Sequence, residues 1–228
     1  MHVPDGFLNA PTSAATGVIA AGAVALAVRG ARRELDDRTA PMAGLVATFI
    51  FAGQMVNFAV GAGTSGHLLG GALAAALVGP WTGVLCVSVV LLVQSFLFAD
   101  GGVTALGTNI CLIGLVGVGV GWLVMVAVRS VLPKRRESVV VAAAVGAAVS
   151  VPTAAAAFSL LLSIGGNVDL PISTVLTAMV GWHVVIGLGE ALITAVVIAA
   201  VMTARPDLVH AARGYLGNTR LLITEKAP

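Results

Sequence analysis

Residues 173–203 read STVLTAMVGWHVVIGLGEALITAVVIAAVMT, an apolar run interrupted by one histidine, His183, and one acid, Glu190. It is longer than the ~20 apolar residues a helix needs to cross the hydrocarbon core of a bilayer. Working outward from it toward the amino terminus, further apolar runs fall at 138–163, 105–128, 83–98, 67–79, 41–59 and 13–28, separated by turn or charge signals. The reading is therefore an all-α membrane protein, a bundle of seven transmembrane helices. The run at 67–79 is short and ends at Gly79-Pro80, so it predicts a broken or partly buried helix. The runs are continuous and lack period-two alternation, which argues against an outer-membrane barrel.

Composition agrees. The 228 residues are 58% hydrophobic and 10% charged, with a mean hydropathy of +1.04. Soluble domains carry about 25% charged residues, so this chain has too few to cover a water-facing surface. Seven spans would use ~140 residues, which leaves short loops and no room for a separate soluble domain. Disorder, a coiled coil and nucleic-acid binding are poor fits to the same numbers. Cys86 and Cys111 both lie inside apolar runs, where thiols act as small hydrophobes and offer neither a disulfide framework nor a four-cysteine zinc site. The spacing of Gly17, Ala21 and Ala25 predicts a helix face on which backbones approach closely.

The twelve basic residues follow spans one, five and seven: Arg29, Arg32, Arg33 and Arg38; Arg129, Lys134, Arg135 and Arg136; Arg205, Arg213, Arg220 and Lys226. In a seven-span zigzag these segments share one side, which the positive-inside rule makes the cytoplasm. The expectation is a multi-pass plasma-membrane protein with its amino terminus outside and its carboxyl terminus in the cytoplasm. No Lys or Arg precedes the first apolar run, so residues 1–30 do not read as a cleaved signal peptide. The expected organisation is an amino-terminal loop over 1–12, a bundle over 13–203 and a solvated cytoplasmic tail over 204–228.

In this topology polar residues gather toward the outer face. His2 and Asp5 lie outside, Asn57 at the outer end of span two, His67 at the outer start of span three, Gln94 in the outer third of span four, and Asn109 near the outer start of span five. His183 lies ~15 Å down span seven, with Glu190 two turns deeper on nearly the same face. Asn and Gln can act as hydrogen-bonding glue between helices. An acid within a span usually faces a partner or a cavity, and Glu190 could bond to His183.

The chain begins Met1-His2. A free amine, the amide nitrogen of His2 and an imidazole nitrogen of His2 would close a five- and a six-membered ring around one ion. Deprotonating the amide favours tetragonal nitrogen complexes, the preference of Ni(II) and Cu(II). His67, on the same outer side, could supply a fourth nitrogen. An ordinary extracellular tip with two unrelated histidines is the bland alternative.

Met1-His2-Val3-Pro4-Asp5-Gly6-Phe7-Leu8 resembles the opening of the substrate-capture membrane subunit of energy-coupling-factor cobalt/nickel transporters, the CbiM/NikM type. The resemblance continues through Gln54-Met55-Val56-Asn57-Phe58, Gly63-Thr64-Ser65-Gly66-His67-Leu68-Leu69-Gly70, the stretch from Gln94 to Asn109, and Trp182-His183 to Gly189-Glu190-Ala191. It implies that the amino-terminal loop inserts into the seven-helix bundle from the outer side. It also implies that the Met1 amine, the His2 amide and imidazole, and the His67 imidazole ligate Ni2+ or Co2+ as transported substrate. Asp5, Asn57, Gln94, Asn109, His183 and Glu190 would support that loop. Ala59 stands where the family pattern suggests proline. The implied partners are a transmembrane coupling subunit, ABC-type ATPase subunits and a small accessory membrane subunit. The chain itself has no Gly-x-x-x-x-Gly-Lys-Ser/Thr nucleotide motif and reads as non-catalytic, with no cofactor. Two other readings are an ion- or proton-coupled carrier using His183 and Glu190, and an intramembrane serine protease using Ser65 and His183.

Overall fold

The computed structural model describes residues 1–36, 39–61 and 64–215. Helix α1 (Ala10–Glu34) starts where the Asn9 side chain accepts a hydrogen bond from the Thr12 amide at 3.0 Å, with Pro11 in the first turn. Both are start signals, since the cap satisfies one orphan N–H and proline has none to satisfy. Arg32 and Arg33 close its last turn, where positive charge suits the helix dipole. Then come α2 (Ala40–Gln54), β1 (Phe58–Gly61), β2 (Thr64–Gly66), α3 (Gly71–Val78) and α4 (Pro80–Leu97). The chain ends in α5 (Leu106–Val131), α6 (Arg136–Gly165) and α7 (Ile172–Ala204). Residues Ile110–Gly117 of α5 take π-helical geometry.

Each apolar run of the sequence yields one helix, but not each yields a long one. Helices α1, α4, α5, α6 and α7 are long and apolar enough to cross a membrane, whereas α2 has 15 residues and α3 has eight. The run at 41–59 does not continue as helix to its end. It stops at Gln54, and Phe58–Gly61 pairs antiparallel with Thr64–Gly66, Phe58 opposite Gly66. Val60 is buried while Phe58 is 45% exposed, so apolar character alternates with the period of a strand. The strictly all-α expectation is corrected by this hairpin, which Phe58 ties to α7 through an edge-on contact with Trp182 at 6.2 Å.

Helix α3 sits at the centre, every one of its residues buried. Small residues make this possible. A Cβ on Gly71 would meet the α5 backbone at Gly117 (2.7 Å), one on Gly121 would meet Ala72 (2.7 Å), and one on Gly146 of α6 would meet Gly121 (2.6 Å). In an apolar solvent such close backbone approach supplies packing that apolar burial does not. The stripe expected on α1 behaves otherwise: Gly17 packs on Gly107 of α5, but Ala21 and Ala25 are exposed.

Two terminal segments close the ends of the bundle. Residues 1–9 fold over one end; the amino-terminal loop is thus shorter than 1–12, because α1 begins at Ala10. At the opposite end, residues 206–215 fold back as a strap with Val209, Ala211 and Ala212 buried. Arg213 donates to the Glu34 carbonyl at 3.0 Å, Tyr215 donates to the Leu132 carbonyl at 3.0 Å, and Arg129 donates to the Ala211 carbonyl. This part of the expected solvated tail is therefore packed, because its small apolar side chains fit beneath α3. Residues 216–228, with Arg220 and Lys226, and Arg38 lie outside the described residues. Beside the strap, the Glu34 carboxylate accepts from the Trp81 amide (3.1 Å), the Thr82 amide (2.7 Å) and the Thr82 hydroxyl (2.9 Å). It thereby caps the start of α4.

Candidate metal centre

Residues 1–9 are held by backbone contacts made in register. Asn109 grips the Val3 peptide twice: its Oδ1 accepts from the Val3 amide at 2.8 Å, and its Nδ2 donates to the Val3 carbonyl at 3.1 Å. The same carbonyl accepts from the Gly102 amide at 2.9 Å. Asp5 accepts from the Thr104 amide at 2.8 Å, Asn167 donates to the Phe7 carbonyl at 2.9 Å, and Asn9 donates to the Gly165 carbonyl at 2.7 Å. The turn beneath the segment requires glycine. Gly101 has φ +86°, and a Cβ on Gly102 would collide with the Asp5 amide. Met1 and Val3 are consequently buried.

Burial has an electrostatic result. It pushes the Met1 amine down to about 4, against the opposing pull of Asp100, so at neutral pH the amine is uncharged with a free lone pair. His2 is likewise held below the ordinary imidazole value by burial, although its Nδ1 lies 2.9 Å from Asp100 Oδ1. That bond holds the Asp100 carboxyl below the usual carboxylate range, with a further contribution from Asn57.

The His2 ring stacks on His67, centroids 4.3 Å apart and 27° from parallel. His67 rides on the loop between β2 and α3, inside the bundle and 1% exposed. Its Nδ1 lies 2.8 Å from the Leu68 carbonyl. A carbonyl only accepts, so Nδ1 carries the proton and Nε2 keeps its lone pair. That Nε2 is buried without a hydrogen-bond partner.

The loop itself is clamped from below. Glu190 of α7 accepts from the Leu69 amide (Oε2, 2.7 Å) and the Gly70 amide (Oε1, 2.9 Å), while Gln54 donates to the Leu69 carbonyl at 2.8 Å. The carboxylate thus takes free N–H groups at the entry to α3. Gly70, with φ +77°, also leaves no room for a Cβ against Ile50.

The structure brings Met1, His2, His67, Asn109 and Glu190 into one network. Asp5 serves it at the surface. Asn57 is exposed and reaches it through Asp100. Gln94 is fully buried, 4.0 Å from Met55 Sδ, and its main-chain carbonyl accepts from the Asp100 amide at 3.0 Å. His183 and Glu190 form no pair: the histidine bonds within its own helix and the acid bonds the loop. Among the described residues no hydrogen bond joins Ser65, on β2, to His183. Sequence reasoning missed two members, Asp100 as the partner of His2 and Gln54 as a buried brace facing His2. In the sequence Gln54 stands at the head of the Gln54-Met55-Val56-Asn57-Phe58 motif, within the apolar run 41–59, with nothing to assign it a role.

Among the described residues, no three His, Cys, Asp or Glu side chains are grouped to hold a metal. A nitrogen site here has two imidazoles and must draw on main-chain nitrogen. A cavity of about 440 Å3 reaches His67 and Glu190 from the side, between the end of α2 and α7. Its other lining, including Phe58, Trp182, Ile186 and Ile193, is apolar, which disfavours passage of a hydrated divalent ion.

The family model described as the cobalt uptake substrate-specific transmembrane region, CbiM, matches residues 2–208. A provisionally named metal transport protein of Haloquadratum walsbyi is 40% identical over 209 residues, covering 92% of this chain and 93% of its own. A provisionally named fused nickel transport protein, NikMN, of Archaeoglobus fulgidus is 34% identical over 210 residues, covering 92% of this chain and 68% of its own. A crystal structure of a truncated transition metal transporter superposes with a TM-score of 0.82 at 26% identity, covering 90% of this chain and 99% of that one.

Proposed function

This chain belongs to the CbiM family, a family of metal transport components, and on that premise we propose that it captures Ni2+ or Co2+ from the external side. The ligands in this reading are the Met1 amine, the His2 amide and imidazole nitrogens, and His67 Nε2. One observation carries it: an uncharged, buried amine and an unpartnered His67 Nε2 flank the two stacked rings. Four nitrogens in a plane suit Ni2+ and accept Co2+. Closing the six-membered ring uses His2 Nδ1, the atom that bonds Asp100 in the ion-free chain. Capture therefore exchanges a carboxylate contact for a metal bond. Asn109 and Asp5 hold the segment in place, and Glu190 and Gln54 hold His67 against it.

In this reading the seven-helix bundle is embedded in the plasma membrane, its five long helices crossing it, with residues 1–9 outside and the strap in the cytoplasm. The distribution of Lys and Arg supports that orientation. The chain is the non-catalytic, substrate-specific subunit of an ATP-driven energy-coupling-factor transporter. It carries no nucleotide-binding motif, so ATP hydrolysis falls to ATPase subunits acting through a membrane coupling subunit, with a small accessory membrane subunit beside them. The test is to add residues ahead of Met1, checking the amino terminus by mass. Every side chain stays, but the five-membered ring is lost, and Ni2+ affinity by calorimetry should fall ~10²–10⁴-fold as one arm of a linked set is removed. Wild-type affinity in the extended chain rejects the chelate.

A further inference from the structure

At the strap end of the bundle a pocket of about 390 Å3 opens between the last turn of α5 and the strap, with Arg129, Lys134 and Arg213 in its wall. Among the described residues no carboxylate stands within ion-pair distance of any of the three; the ion pairs there are His2–Asp100 and Arg205–Asp207. Arg129 is fixed in place. Its guanidinium lies 5.2 Å from the centre of the Trp122 ring and 5.5 Å from that of Tyr215, and it donates to the Ala211 carbonyl. Two aromatic faces and one carbonyl hold a guanidinium without neutralising its charge. Arg213 reaches in from the strap while donating to the Glu34 carbonyl, and Lys134 is exposed at the rim. The Ser130 and Tyr215 hydroxyls both donate to main-chain carbonyls, so the charge offered to a ligand is positive only. The surface leading to the pocket is apolar. Leu123 is 67% exposed and Val126, one turn on, is 41% exposed, forming a track down the outside of α5 to Arg129. Val126 and Leu132 continue that track into the pocket wall.

We propose that this pocket binds the phosphate of an anionic phospholipid, whose acyl chains lie along Leu123 and Val126. Guanidinium groups suit phosphate because their donors match its oxygens in pairs. A basic pocket at the end of a membrane helix is a headgroup site when apolar surface adjoins it, and Trp122 and Tyr215 stand where interfacial aromatics are expected. A phosphate held by Arg129 of α5 and Arg213 of the strap ties the two together, so the lipid also fastens the strap. The inference goes beyond metal capture: it rests on the membrane-embedded bundle, and loss of the nitrogen chelate would leave it untouched.

Native mass spectrometry of the full chain, titrated in neutral detergent with dioleoyl-phosphatidylglycerol, tests this. One lipid should bind saturably, and dioleoyl-phosphatidylcholine, with the same chains and phosphate but no net charge, should bind at least about 5-fold more weakly. Millimolar inorganic phosphate should not displace the lipid. Lys134→Gln removes an exposed cation from the rim and should weaken phosphatidylglycerol binding about 5-fold, the worth of one basic residue at a membrane surface. Arg213→Gln should weaken it further and speed hydrogen exchange at the Ala212 amide when lipid is present. Arg32→Gln, at the same end of the bundle but outside the pocket, should leave binding unchanged. Equal binding of the two lipids, or native binding in both Lys134→Gln and Arg213→Gln, overturns the site. An equal loss in Arg32→Gln overturns it in favour of diffuse surface charge. Displacement by inorganic phosphate overturns the lipid assignment in favour of a soluble anion. None of these outcomes bears on Ni2+ affinity, which the Lys134→Gln chain should retain.

Discussion

Each end of the bundle is closed by a terminal segment, and the two closures differ in what they leave over. At the strap, residues 206–215, and the neighbouring Glu34 cap most polar groups are paired: the carboxylate takes three donors, and Arg213 and Tyr215 each find a carbonyl, while His210 Nδ1 and Arg129 Nε are buried without a partner. The segment at residues 1–9 is held as firmly through its backbone, yet buries an uncharged amine and faces imidazole nitrogens with no partner. Single unpartnered atoms occur at both ends, but only residues 1–9 bring a buried amine together with two stacked imidazoles that each keep a bare nitrogen. On the function proposed above, that gathering of nitrogens separates a receptor from a fastening.

Substitutions at the receptor end should act on ion binding, and those at the fastened end on stability. His67→Ala should produce the largest of these effects, a loss in Ni2+ affinity of roughly 100-fold, the upper end for groups at a metal. Unchanged calorimetry would remove His67 from the ligand set. Asn109→Ala leaves the nitrogens in place but releases the Val3 peptide, so affinity should fall about 10-fold. Hydrogen exchange at the Val3 amide should speed up in the same variant.

Acidification should loosen the same end. The undocked amine titrates at its ordinary value of 8.0 and the docked one at about 4. Between those values the undocked segment takes up a proton that the docked segment refuses, so docking weakens progressively as pH falls from 8 toward 4. Exchange at Val3 measured across that range should rise as pH drops, after correction for the intrinsic rate; a flat profile would contradict the buried neutral amine. Glu34→Gln should affect ion binding least. It should cost about 1.5–3 kcal/mol of stability through weakened charged hydrogen bonds, with Ni2+ affinity unchanged. A parallel loss of affinity would erase the contrast between the two ends.

The long helices were legible because a span is a composition signal, and runs such as 105–128 and 173–203 carry it without ambiguity. The hairpin was not, because Phe58 and Val60 continue the apolar run and only the alternation of their burial reveals a strand. Of the site, Met1, His2 and His67 were readable from chemistry and resemblance, since their order along the chain places them at one end. The grip of Asn109 on Val3 and the clamp of Glu190 on Leu69 and Gly70 join residues 106 and about 120 positions apart. Nothing in a single sequence encodes such pairings. Asp100 and Gln54 were missed for the same reason, and the expected His183–Glu190 pair was a guess from helical spacing that the nearby loop amides displaced.

The widened turn in α5 has a consequence for insertions and deletions. A π-helical stretch holds a surplus residue relative to an α-helix of the same length, and here Ile110–Gly117 follows directly after Asn109 and precedes Gly121. Asn109 must face Val3 while Gly121 must face Ala72. The surplus sets the phase between those two contacts. Removing a single codon from this stretch would give a more regular helix that cannot keep both: either the amino-terminal grip or the seam against α3 would rotate out of alignment by roughly 100°, the angular step of one residue.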